Sequence, residues 1–149
     1  MKRAAPFLLL ALVLSACSTK VDTRADKAAV EAGLYRYSQL LLSMDSAGIA
    51  AMFAPDGEVV NPSQPAVHGR DAIRKFIASF SDFHVISNTD TPTSTLIDGS
   101  TAEQIGVYEQ SVKSPQGHLF KVSGRLEIEW VKAPSGEWQI MQLATFPAK

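Results

Sequence analysis

Leu-Phe-Lys-Val-Ser-Gly-Arg-Leu-Glu-Ile-Glu-Trp-Val-Lys, residues 119–132, alternates apolar and polar positions along its length. Phe120, Val122, Gly124, Leu126, Ile128 and Trp130 fall on one parity; Lys121, Ser123, Arg125, Glu127 and Glu129 fall on the other. A strand turns successive side chains to opposite faces, so this stretch predicts a long β-strand with one face on a core and one in water. Strand-like runs also occur at 83–91, 101–112 and 137–146. They are separated by the turn signals Asp98-Gly99, Pro115-Gln116-Gly117 and Pro134-Ser135-Gly136, and with 119–132 they predict an antiparallel meander. Gly106 and Gly124 mark places where such strands bend sharply.

Upstream the period changes. Val30, Leu34, Tyr37, Leu41 and Met44 recur every three or four residues, an apolar stripe on a helix over 25–43. Asp45 and Ser46 are capping residues for a second short helix, with Ile49, Met52 and Phe53 as its buried face and Ala54-Pro55-Asp56-Gly57 as its stop. A short strand at 58–61 is halted by Pro62, and a loop containing Pro65 leads to Gly69. Ile73, Phe76, Ile77 and Phe80 then define a third helix over 70–80. The expected class is α+β, with three N-terminal helices packed on a strongly bent antiparallel sheet.

The chain has 149 residues, begins with a Lys2-Arg3 pair, and continues into the apolar run Phe7 to Leu14. That run is too short to span a bilayer permanently and reads as an export signal. Leu14-Ser15-Ala16-Cys17 closes it and holds the single cysteine. The box resembles the lipobox of bacterial lipoproteins. The resemblance implies a signal peptide over 1–16, diacylglyceryl and acyl chains such as palmitate on Cys17, and a tether over 17–24 ahead of a domain over 25–149. Several acyl chains, each methylene contributing about 0.8 kcal/mol, anchor stably where one alone does so marginally. Ser18 rather than Asp after the cysteine resembles the outer-membrane sorting pattern, which places the protein in the cell envelope facing the periplasm.

Loss of 1–16 leaves 133 residues, one domain's length, and moves the formal charge from −1 to −3. No basic block remains, which disfavours nucleic acid as a partner. With Cys17 lipidated, no thiol is left for a disulfide, a nucleophile or a metal. His68, His84 and His118 are dispersed, so no metal site is assigned, and no cofactor motif is present.

Gly48 to Gly57, Val60-Asn61-Pro62, His68 to Phe76 and Gly136-Glu137-Trp138-Gln139-Ile140 together resemble the nuclear transport factor 2-like superfamily, in particular its SnoaL-like branch. The resemblance covers about 25–146 and implies a cone with a hydrophobic central pocket, a scaffold that serves isomerases, cyclases, dehydratases, carriers and interaction modules. Tyr37, Phe53, Phe76, Phe80, Tyr108, Phe120, Trp138 and Phe146 are the expected aromatic lining, with Asn61 as a polar contact.

Ketosteroid isomerases of this superfamily use a tyrosine on the first helix, a carboxylate before the proline of the first strand, and a protonated acid on a later strand. Tyr37 stands at the tyrosine position. Asn61 stands at the base position, where an amide cannot abstract a proton. The later acid aligns near Gly124, whose face carries no carboxyl. Steroid-isomerase chemistry is therefore not expected, and Tyr37 and Asn61 remain as hydrogen-bonding groups. His68 is the remaining acid–base candidate, with Asp45, Glu58 or Asp90 to orient it.

The leading expectation is an envelope protein, bound to the membrane through Cys17, that binds a small apolar or amphipathic molecule or an envelope protein. The alternative is a small lyase or isomerase acting through His68, Tyr37 and Asn61. The charged face holding Lys121, Arg125, Glu127 and Glu129 offers a surface for a homodimer.

Overall fold

The computed structural model describes residues 23–148, so Cys17, the lipobox and nearly all of the tether lie outside the described residues. Helices α1 (Arg24–Leu42), α2 (Ser46–Met52) and α3 (Arg70–Ala78) share the first half of the chain with strands β1 (Phe53–Val60) and β2 (Val67–His68). Strands β3 (His84–Asp98), β4 (Thr101–Lys113), β5 (Leu119–Lys132) and β6 (Trp138–Pro147) complete it. No helix among the described residues is long and apolar enough to cross a membrane.

The strands form one sheet in the order β2-β1-β6-β5-β4-β3. Its β3-to-β6 portion is the expected antiparallel meander. The sheet as a whole is mixed, which corrects the wholly antiparallel expectation, because β1 runs parallel to β6. A parallel neighbour requires a long crossover, and here α3 and four strands lie between the two partners.

Two element boundaries also differ from expectation for local reasons. Phe53 does not end the second helix but opens β1 in an extended conformation, pairs in register with Ile140, and accepts a hydrogen bond on its carbonyl from Arg70 Nε at 2.7 Å. Strand β3 continues past Pro92 because it is an edge strand and a register shift between Pro92 and Ser94 absorbs the residue that cannot donate. The cap of α2 is as expected, with the Asp45 carboxylate accepting from Gly48 N at 2.9 Å.

Helix α1 lays Val30, Leu34, Tyr37 and Ser38 on the inner face of the sheet. It approaches closely at Gly33, where an added Cβ would lie 2.7 Å from Trp130 Cη2. Around that contact Phe53, Ile73, Ile128, Trp130 and Ile140 form a closed core. The polar Gln104 buried in this core is satisfied: it accepts from Trp130 Nε1 at 3.2 Å. Asp26, in the first turn of α1, accepts from Lys132 Nζ at 2.6 Å and Trp138 Nε1 at 3.0 Å, and so ties the start of the helix to the β5–β6 end of the sheet. Along the inner face of β5 the exposure climbs from 2% at Trp130 to 42% at Phe120. The layers are thus packed shut at one end and parted at the other.

Candidate active site and ligand cavity

Where the layers part, successive inner-face residues of the meander form rows. Asp90, Tyr108, Gly124 and Pro147 are register partners in one row across β3, β4, β5 and β6. Gly124 is required by that row: a Cβ there would lie 2.9 Å from Tyr108 Cε1 and 2.2 Å from the Phe146 carbonyl oxygen. Tyr37 faces this row from α1, Phe76 approaches from α3 and Phe80 from the turn after it, and Asn61 closes the β1 side. The space enclosed is about 660 Å³, within the range of small-molecule sites.

Asp90 is the chemical centre of this space. Ser38 Oγ donates to its Oδ2, and Asn88 Nδ2 donates to the same oxygen at 2.7 Å. With both donors on Oδ2, Oδ1 is the oxygen left for a ligand. Burial raises the Asp90 pKa above the ordinary carboxylate value, and the hydrogen bonds from Ser38 and Asn88 only partly offset it. The remaining amide atom, Asn88 Oδ1, is buried and unpartnered among the described residues, so the Asn88 amide is held by its bond to the carboxylate.

The phenols beside it behave as donors. Burial and then the Asp90 charge push the Tyr37 pKa far up, and burial raises that of Tyr108. Both hydroxyls stay protonated through the physiological range. Asn61 Oδ1 accepts from Thr145 Oγ1 at 2.6 Å, which leaves the amide NH₂ as the free end of that side chain. A neutral hydrogen-bond fringe thus surrounds a single desolvated carboxyl. Such a group suits proton transfer, since general bases work best when their pKa approaches the ambient pH.

The sequence-predicted site residues divide three ways. Tyr37, Asn61, Phe76, Phe80 and Tyr108 meet in the cavity. Phe120 lines an adjoining apolar chamber. Phe53, Trp138 and Phe146 do not reach the cavity: Phe53 is sealed in the core, Trp138 binds Asp26 at the closed end, and Phe146 lies beneath Arg125 at 4.7 Å. The pairing of Phe146 with Arg125 in register sets both on the outer face.

His68 also lies elsewhere. Its Nδ1 is 2.9 Å from Glu58 Oε2, and Glu58 in turn accepts from Gln142. Val59 and Asn61 line the cavity, so period-two alternation turns Glu58, and its β2 partner His68, to the other face. The expectation of His68 as the acid–base residue of the pocket is corrected by this parity; its carboxylate partner exists, but on the face away from the cavity. Asp90 is the residue that the sequence reading placed only in a supporting role. Its sequence signal is a carboxylate in the middle of a strand rich in Thr and Ser, and its link to Gly124 through the row needs the strand order.

Three helices over a mixed six-stranded sheet make the α+β nuclear transport factor 2-like fold. Within that class the chain belongs to the SnoaL-like domain family, whose model matches residues 22–144. Solved structures similar to it include a ketosteroid isomerase-like protein from Erwinia carotovora atroseptica, at TM-score 0.78 and 18% identity over 85% of this chain and 98% of the other. A nuclear transport factor 2-like superfamily protein from Salmonella enterica serovar Typhimurium superposes at TM-score 0.74 and 18% identity, over 85% and 94% of the two chains. ActVI-ORFA from Streptomyces coelicolor follows at TM-score 0.70 and 20% identity, over 83% and 97%. At these identities the likeness is one of fold. No curated protein matches the chain in sequence.

Proposed function

We propose that this protein is a cell-envelope lipoprotein, anchored through Cys17 to the outer membrane and facing the periplasm, whose cone cavity binds a small oxygen-bearing apolar molecule and moves a proton on it. The observation that carries the reading is Asp90: a desolvated carboxyl with one oxygen unengaged, flanked by phenols, in a cavity of ligand size. Asp90 takes the acid–base role in place of His68, and Tyr37 with the Asn61 amide polarises the substrate oxygen. A proton removed beside a carbonyl passes to Oδ1, and the oxygen charge that develops is met by these donors.

The test uses the purified domain in deuterated water with a panel of enolisable ketones, following loss of the α-proton signal by NMR. Wild type accelerates exchange for at least one member, and Asp90→Asn reduces that acceleration by about a hundredfold or more. Absence of exchange across the panel, or an undiminished rate in Asp90→Asn, refutes proton transfer. For the anchor, Cys17→Ala moves the protein from the membrane fraction to the soluble periplasmic fraction; retention of palmitate label in that variant refutes lipidation.

A further inference from the structure

The cavity does not end at its polar row. A second chamber of about 320 Å³ adjoins it across shared walls of Leu41, Ile77, Phe80, Gln110 and Val122. Helix α1 and strands β3, β4 and β5 cross from one chamber to the other in the same direction. On α1 the lining passes from Tyr37 through Leu41 to Met44, and on β4 from Tyr108 through Gln110 to Val112. On β3 it passes from Asp90 to Val85, and on β5 from Leu126 through Val122 to Phe120. The polar row is therefore followed by the row Asn88, Gln110 and Val122, and then by Val85, Val112 and Phe120. Four residue steps along β4 lead from Tyr108 to Val112, a run of about 13 Å. Phe76, Phe80, Phe83 and Phe120 border this run as a chain of edge-to-face rings with centroids 5.2, 6.4 and 6.5 Å apart.

Charge narrows the head group. Among the described residues that line the two chambers, Asp90 is the one charged side chain, and no Lys, Arg or His accompanies it. An anionic head would meet a carboxylate in a poorly solvated site with no countercharge. An ammonium head could donate to Asp90, but it carries no acceptor lone pair for the hydroxyl protons of Tyr37 and Tyr108 or for the Asn61 amide. A neutral oxygen satisfies both sides: its lone pairs take the donors and, in a hydroxyl, its proton goes to Asp90 Oδ1.

We propose that the ligand is an elongated neutral amphiphile, a hydroxyl or carbonyl head at Asp90 and Tyr37 with an unbranched hydrocarbon tail running past Phe80 into the chamber walled by Met44, Val112 and Phe120. This rests on the reading of the Asp90 cavity as the ligand site. The tail chamber selects for chain length, and the row around Asp90 selects against charge.

Isothermal titration of the purified domain with n-hexanol, n-decanol, decanoate and decylamine tests both halves. Each added methylene tightens binding by about threefold to fourfold, so decanol binds about a hundredfold more tightly than hexanol. Decanoate and decylamine bind more weakly than decanol at neutral pH. Met44→Glu and Phe120→Glu abolish the gain from hexanol to decanol, and a far-UV circular dichroism spectrum matching wild type reports that each variant is folded. Equal affinities for hexanol and decanol in wild type overturn the tail assignment, as does a gain that survives both variants. Tighter binding of decanoate or decylamine overturns the neutral head. A chain-length gain with no response to Asp90→Ala leaves the tail standing and refutes Asp90 as the ligand site, and binding of no member refutes both.

Discussion

Ser38, on the first helix, donates its hydroxyl to Asp90, 52 residues later on an edge strand, from behind the polar end of the cavity that Asp90 lines. Ser38 is itself buried, so the bond is shielded from competing water. It fixes which carboxylate oxygen is occupied and which faces a ligand. The same contact couples the helix to the sheet where the core no longer does. Ser38→Ala removes a hydrogen bond to a charged group and is expected to cost about 1.5–3 kcal/mol at neutral pH. Urea denaturation checks this, and the loss shrinks in acid, where Asp90 is neutral.

Asp90 gives stability a definite pH dependence. Its folded pKa is raised, so between the ordinary carboxylate value and the raised one the folded state holds a proton that the unfolded chain has released. Its contribution is favourable in acid and is lost as pH rises through the folded pKa. Asp90→Asn removes this titration, and thermal melts are expected to show the variant gaining on wild type from acid to neutral pH. A difference in Tm that stays constant over that range contradicts the assignment.

His68→Ala is expected to leave ligand binding and proton exchange unchanged, because the imidazole and its Glu58 partner lie on the far side of the sheet from the cavity. The pair is exposed on the histidine side and contributes about 0–1 kcal/mol to stability. Calorimetry and ketone exchange on this single variant, beside Asp90→Asn, separate the two candidate groups directly.

Gly33→Ala sets helix propensity against packing. Alanine favours the helix by about 1 kcal/mol, but its Cβ would fall 2.7 Å from the buried Trp130 ring. Overpacking costs about 1–3 kcal/mol, and Trp130 is further fixed by its bond to Gln104, so a net loss of stability is expected. A variant more stable than wild type in urea would mean that α1 can move off the sheet at little cost.

Asp26 carries the opposite pH sign from Asp90. The hydrogen bonds from Lys132 and Trp138 lower its pKa, so its contribution is present above the ordinary carboxylate value and is lost as pH falls through the lowered one. Asp26→Asn is expected to lower Tm at neutral pH, and the difference from wild type is expected to vanish in strong acid. A constant difference across the titration would show that the carboxylate charge plays no part.

Local period made much of the architecture legible before any coordinates. The three-and-four spacing of Val30, Leu34 and Tyr37 gave the long helix and its buried face, and alternation in 119–132 assigned every inner residue of β5 to its side. The same reasoning failed at Phe53, where a helix-compatible apolar residue is drawn into a strand by pairing with Ile140. It failed again at Phe146, because aromatic character does not say which face of the sheet a residue occupies.

The sequence by itself determined most element types, the turns and the lipobox resemblance, because each depends on residues within a few positions of one another. Only the tertiary structure decided the site. Parity tells which side of its own strand a residue occupies, but strand order tells which residues share a row, and register shifts near Val85 and Pro92 reset the parity of β3. The acid sought near Gly124 arrives in that row two strands away, as Asp90, while the same alternation carries His68 to the opposite face.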